Sequence, residues 1–172
     1  MLYVVGLEDG KNIRSIEVEA PIAASVAIAD GAGYVGDMDR SVTAFNLEAG
    51  EILWNYKPKS FPYFSSPALS DSHVFIGGRD KGMHCIERVN GKQVWRFSAR
   101  GRIDSSPVIT KEKVVFGSMD GKLYLVSKKD GKEVASYEIG EPISSTAAIV
   151  DTKIIVGCED GNVYAFETKG KK

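Results

Sequence analysis

Four aspartates, Asp39, Asp80, Asp120 and Asp160, are the first residues whose type and spacing suggest chemistry. Carboxylates drawn around a common axis would form a ring able to hold a cation. Each one, however, sits three residues after a glycine (Gly36, Gly77, Gly117, Gly157), in a stretch that reads as a tight turn. Aspartate in such a turn bonds nearby backbone amides, so hairpin capping is the expected role. The two histidines, His73 and His84, are the natural general bases, but neither has a serine or cysteine placed for a triad. They are expected as surface or packed side chains. Ser65-Ser66 and Ser105-Ser106 lack the Gly-x-Ser-x-Gly elbow that exposes a nucleophile. Cys85 and Cys158 show no metal-ligand spacing and are expected as two buried thiols. No catalytic constellation, metal site or cofactor is expected.

Composition narrows the partners. The 22 basic and 23 acidic residues are interspersed and leave a net charge of −1, which argues against a nucleic-acid footprint. Lys57-Pro58-Lys59 is too short a basic patch to change that. No apolar run approaches the roughly 18 residues that suggest a membrane span. The opening Met1-Leu2-Tyr3-Val4-Val5-Gly6 lacks the basic region and long apolar core of a signal peptide.

The elements that must position these residues repeat. The four glycines are 41, 40 and 40 residues apart, and the four aspartates keep the same intervals. Around them recur Phe75-Ile76-Gly77-Gly78-Arg79-Asp80, Val115-Phe116-Gly117-Ser118-Met119-Asp120 and Ile155-Val156-Gly157-Cys158-Glu159-Asp160. Small-residue segments precede them, as in Ser65-Ser66-Pro67-Ala68 and Ser105-Ser106-Pro107-Val108. Apolar runs such as Leu123-Tyr124-Leu125-Val126 follow, then a turn glycine, then Ile52-Leu53-Trp54 or Gln93-Val94-Trp95. Four short β-rich runs per period of about 40 residues make one four-stranded propeller blade. The fold class is therefore all-β, a β-propeller of antiparallel blades with about four blades present. The small residues belong on the innermost strands, which crowd around the axis.

The register at the ends is informative. Residues 1–20 align without gaps on the region around Leu123 to Ile143, so the chain opens on the last two strands of a blade. Full blades are expected at 21–61, 62–101 and 102–141, and an incomplete one at 142–172. Three arrangements follow: Ile13 to Val18 completes the last blade in a four-bladed ring, two copies form an eight-bladed homodimer, or missing blades lie in a longer parent chain.

The strings Ser-Ser-Pro-Ala, Gly-x-x-Asp-Gly-x-Leu-Tyr and Gly-Lys-x-x-Trp, best carried by 65–97 and 105–132, resemble the pyrroloquinoline-quinone-like propeller repeat family. The resemblance covers essentially the whole chain. It implies that Trp54 and Trp95 are structural wedges docked between adjacent blades. Ala135 and Arg14 replace that tryptophan elsewhere, which implies weaker blade contacts there. Quinoprotein dehydrogenases of the superfamily use a ring formed by adjacent cysteines, whereas Cys85 and Cys158 lie 73 positions apart. The resemblance therefore points to the non-catalytic branch, like the propeller lipoprotein of outer-membrane protein assembly. It implies a scaffold with a protein partner in the periplasm or another extracytoplasmic compartment. The alternatives are a fragment of a quinone-dependent dehydrogenase and a ligand-sensing domain of a signalling protein.

One blade connection departs from the repeat. Residues 57–64 carry Phe61, Tyr63 and Phe64 with two prolines, where the next connection has Arg100 and Arg102. Aromatic and arginine side chains offer large area and planar hydrogen bonding, so Phe61, Tyr63, Phe64, Arg79, Arg100 and Arg102 form the candidate contact set. Tyr63 shares its register with Ile103 and Ile143, so a core plug is the competing role for it.

Overall fold

The structure is a computed structural model and describes residues 1–18, 20–58 and 61–167. The chain opens on a two-stranded sheet, β1 (Leu2–Val5) and β2 (Asn12–Ile16). The first blade contains β3 (Ala27–Ala29), β4 (Ala32–Gly36), β5 (Val42–Asn46) and β6 (Ile52–Tyr56). The second contains β7 (Ala68–Leu69), β8 (His73–Gly77), β9 (Gly82–Glu87) and β10 (Gln93–Ser98). The third contains β11 (Val108–Ile109), β12 (Lys113–Gly117), β13 (Lys122–Ser127) and β14 (Glu133–Glu138). The last sheet has three strands, β15 (Ala148–Val150), β16 (Lys153–Gly157) and β17 (Val163–Glu167). All pairings are antiparallel and join neighbours in sequence. The strand β2 pairs with β1 and not with β17, so single-chain closure through Ile13–Val18 is not formed.

Alternation along each strand builds the core. Successive residues point to opposite faces, and the central strands have a blade on both sides. In β13, Leu123 and Leu125 meet Ile154 and Val156 of the last sheet. Their neighbours Tyr124 and Val126 meet Phe75, Met83 and Cys85 of the second blade. Phe75, Met83, Phe116 and Leu123 are fully buried. Each such side chain stabilises the stack by about 1.5–3 kcal/mol.

Three devices lock one blade to the next. The strand-three to strand-four pairing slips at the same place in four sheets, between Val4/Val5, Ala44/Phe45, Gln93/Trp95 and Leu125/Val126. A bulge adds local twist and re-aims the next side chain, and the tryptophans follow it. The indole of Trp54 lies under Gly91 of the second blade and donates to Arg88 O at 2.8 Å. That of Trp95 lies under Gly131 and donates to Lys128 O at 3.0 Å. Arg14 occupies the same place in the leading pair: its stem lies under Gly50 and Nη1 donates to Ala49 O at 3.1 Å.

Near the axis, Ser66 Oγ accepts from Ser25 N at 3.0 Å, and Ser106 Oγ accepts from Ser66 N at 2.9 Å. The buried hydroxyls of Ser65 and Ser105 accept from Gly77 N and Gly117 N. These serines stitch inner strands together, which explains the small-residue segments. At one rim, each blade connection is tied to two turns. Ile103 N donates to Gly78 O of the preceding blade, and Met119 N donates to Arg102 O.

Candidate partner-binding face

The turn aspartates do two jobs in three of the blades. Asp80, Asp120 and Asp160 each accept from the amide two residues on, those of Gly82, Lys122 and Asn162. Each also holds a ring from the strand after the turn: His84 Nε2 at 3.1 Å, Tyr124 Oη at 2.9 Å and Tyr164 Oη at 2.6 Å. Asp39 departs from the expected cap. Its blade carries Thr43 where the others carry a ring, and threonine is too short to reach the turn. Asp37 caps instead, accepting from Ser41 N at 2.9 Å, while Asp39 is exposed beside Arg40 at 3.3 Å. Among the described residues, no group of three or more His, Cys, Asp or Glu is placed to hold a metal ion.

The second blade extends this motif into a buried chain. His84 is fully buried, with Nδ1 3.0 Å from Tyr56 Oη and Nε2 facing Asp80. Arg96 donates twice to Asp80 Oδ2, at 3.1 and 2.9 Å, and once to its carbonyl at 2.8 Å. Burial alone would push the Asp80 carboxyl up, but His84, Arg96 and the Gly82 amide outweigh it and hold it well below the usual carboxylate range. Burial also pushes the Tyr56 and Tyr63 hydroxyls up, so both stay protonated. The Tyr56–His84–Asp80 order has the outline of a proton relay. With His84 sealed in the interior, it is an inter-blade clamp, because Tyr56 belongs to the first blade.

The rim carrying the turns and blade connections brings together most of the contact set. The Arg79 guanidinium lies 3.6 Å over the Phe64 ring. It donates to both oxygens of Asp104, Nε to Oδ1 and Nη2 to Oδ2, each at 2.9 Å. Arg102 Nε donates to Asp104 Oδ2 at 3.1 Å, with about half of its side chain exposed. Phe61 and Arg100 are exposed on the same blade connections that carry Phe64 and Arg102, whereas Asp104 is only 15% exposed. The carboxylate thus fixes one arginine against an aromatic face and steadies a second.

Tyr63 leaves the contact set. Only 2% of it is exposed, and its ring packs edge-on against His84 at 5.7 Å. It plugs the core as Ile103 and Ile143 do, because that register points inward. The thiols also differ from expectation. Cys85 is buried, but Cys158 is half-buried at the edge of a core cluster shared with the third blade. His73 is half-buried at the start of β8, with Nδ1 2.9 Å from Ser72 Oγ.

Arg88 escaped the sequence reading. It is 9% exposed and ties the first blade to the second, donating to Tyr34 Oη, Asp30 Oδ2 and the carbonyls of Ser70 and Asp71. Its equivalents are Leu47 in the first blade and Lys128 in the third, so the repeat gives no hint of this reach.

A family model described as outer membrane protein assembly factor BamB matches residues 1–66 and 59–172. The chain belongs to that family. Outer membrane protein assembly factor BamB of Pseudomonas aeruginosa is 32% identical over 82 residues, covering 46% of this chain and 20% of that protein. Among solved structures, BamB from Moraxella catarrhalis matches with a TM-score of 0.77 at 19% identity, over 87% of this chain and 47% of that one. The computationally designed Ika8 protein matches with a TM-score of 0.86 at 17% identity, over 96% of this chain and 52% of that one. The designed Ika4 protein matches with a TM-score of 0.80 at 17% identity, over 90% of this chain and 96% of that one. The structural matches establish the propeller fold. The chain spans about half the length of Ika8 and of the Moraxella protein. Among the described residues, no helix is long and apolar enough to cross a membrane.

Proposed function

We propose that this chain is a non-catalytic propeller scaffold for an extracytoplasmic protein assembly, and that a protein partner docks on the rim displaying Phe61, Arg79, Arg100 and Arg102. The observation that carries this reading is Arg79, held flat between the Phe64 ring and the Asp104 carboxylate. A guanidinium fixed in advance loses little rotamer freedom on binding, which is how arginine becomes an interface anchor. The supporting connections are stitched to two turns each, so the surface is rigid before the partner arrives. Family membership supports the same reading, because its description is that of a protein assembly factor.

Site-directed photocrosslinking tests it. With a photoreactive residue at position 61 or 102, a discrete protein adduct is expected, and Arg79→Ala should weaken it at least tenfold. Position 129, in the turn at the opposite rim, should give no such adduct. Equal yields from both rims, or adducts indifferent to Arg79→Ala, would refute the assignment.

A further inference from the structure

The cleft between the leading strand pair and the first blade holds a cavity of about 410 Å³, lined chiefly by Glu17, Asp37, Ser41, Thr43, Ile52 and Asn55. The repeat shows why it is open. In the next cleft, the corresponding inner positions are Tyr56, Tyr63, His84, Gln93 and Arg96. There Tyr56 bonds both His84 and Gln93, Tyr63 covers the imidazole, and Arg96 reaches Asp80. In the cleft after that, Phe97 and Tyr124 stand at the Tyr56 and His84 positions and pack with Phe116, the rings 5.1 to 5.8 Å apart. The first cleft carries Ile16, Ile22, Thr43, Ile52 and Asn55 at the five positions. Ile16, Ile22 and Thr43 stand where the next cleft has rings, Asn55 is shorter than Arg96, and Ile52 puts an apolar side chain in the place of Gln93. Close-packed interiors do not otherwise leave such a gap.

What lines the gap is polar and acidic. Asp37 is only 6% exposed and accepts from both the amide and the hydroxyl of Ser41. A carboxylate has about four acceptor sites, so it retains capacity toward the cleft. Glu17 stands exposed at the mouth, and Asn55 Oδ1 accepts from Thr43 Oγ1 at 2.7 Å. Among the described residues, no basic side chain lines the cavity.

We propose that this cleft binds a guanidinium group, supplied by an arginine side chain of a partner or by a free guanidinium compound. The chain itself shows what this architecture accepts. In the neighbouring cleft, a guanidinium from Arg96 donates to a carboxylate and a carbonyl at the same turn. The first blade has Asn55 at the Arg96 position, so the forked donor is missing, and the carboxylate facing the cleft is Asp37, two residues before the position equivalent to Asp80. Forked donors suit a site with a carboxylate and a carbonyl-type acceptor better than the point charge of an ammonium does. The site is separate from the Arg79 rim cluster and does not depend on it.

Amide NMR of the chain, titrated with N-acetyl-arginine methylamide, free arginine and N-acetyl-lysine methylamide, tests the proposal. Saturable shifts are expected at residues 17–18, 37–43 and 52–55, with a dissociation constant on the order of 1 mM for the arginine compounds. The lysine compound should bind at least five times more weakly, and Glu17→Gln, at an exposed site, should weaken arginine binding about fivefold. Asn55→Arg should abolish binding while its circular dichroism matches the parent. Tighter binding of the capped compound assigns the site to a partner's side chain, and tighter binding of free arginine assigns it to a small molecule. Scattered or unsaturable shifts, equal binding of lysine, or full binding by both variants would overturn the proposal.

Discussion

Replacing Trp54 by alanine should uncouple the first blade from the second. The side chain is 9% exposed, its ring faces Gly91 closely enough that a Cβ there would lie 2.7 Å from Cδ2, and its nitrogen donates to Arg88 O at 2.8 Å. Truncating an aromatic buried to this degree costs about 3–5 kcal/mol. Most of that loss falls on the contact between neighbouring repeats, not on the blade itself, because stability in a repeat array is divided between the two. Trp54→Phe keeps much of the ring contact but leaves Arg88 O without its donor, which costs about 1–3 kcal/mol. Trp54→Arg copies the arrangement of Arg14 beneath Gly50 and should fall between the other two. Urea unfolding followed by far-UV circular dichroism and tryptophan emission reads the effect, with Trp95 as the one remaining tryptophan. In Trp54→Ala, a backbone transition at lower urea should precede the Trp95 transition. A midpoint shift worth less than about 1 kcal/mol, or a single coincident transition at the parent midpoint, would refute the wedge argument.

Two further outcomes follow from the buried groups. Asp80→Asn should cost about 3 kcal/mol at neutral pH, since it leaves Arg96 and His84 facing a neutral amide. The folded chain holds the Asp80 carboxyl below its usual value. Its contribution is therefore complete above the unfolded carboxylate pKa of about 3.9 and is lost as pH falls toward the lower folded value. The stability gap between parent and Asp80→Asn should narrow on acidification below about pH 4 in a melting series, and a constant gap would contradict the assignment. Burial pushes the Cys85 thiol up to about 12, so one thiol, Cys158, should react with a disulfide reagent at pH 8 in the folded chain. Cys85 should react only after denaturation, and two rapid equivalents in the native state would contradict its burial.

The architecture was legible because it is written periodically. Glycine spacing, turn aspartates and alternating apolar runs each recur, and any one copy can be checked against the others. Departures from the repeat were harder to weigh. Asp39 keeps the aspartate of the motif, yet its capping role passed to Asp37 because Thr43 cannot supply the ring. Arg14 looked like a loss of the tryptophan wedge, whereas its long stem and terminal donors reproduce the wedge's two contacts. Tyr63 had a surface and a core reading, the shared register with Ile103 and Ile143 leaning to the core, and its packing against His84 decides for the core.

Local order along the chain determined the strands, the turns and which residues share a face, because β-pleating and turn chemistry depend on near neighbours. Membership of a propeller family follows from the same text. Which side chains meet across a cleft was decided only by tertiary structure, since those partners come from different repeats. Tyr56 finds His84 and Gln93, Arg79 finds Asp104, and Arg88 finds Tyr34 and Asp30. The aspartates first considered as a cation ring are separated by the same geometry, each committed to the turn or surface of its own blade. Blades stack sideways around an axis, so a position that repeats in sequence is carried to a new place at each step, and its chemistry is set by the blade beside it.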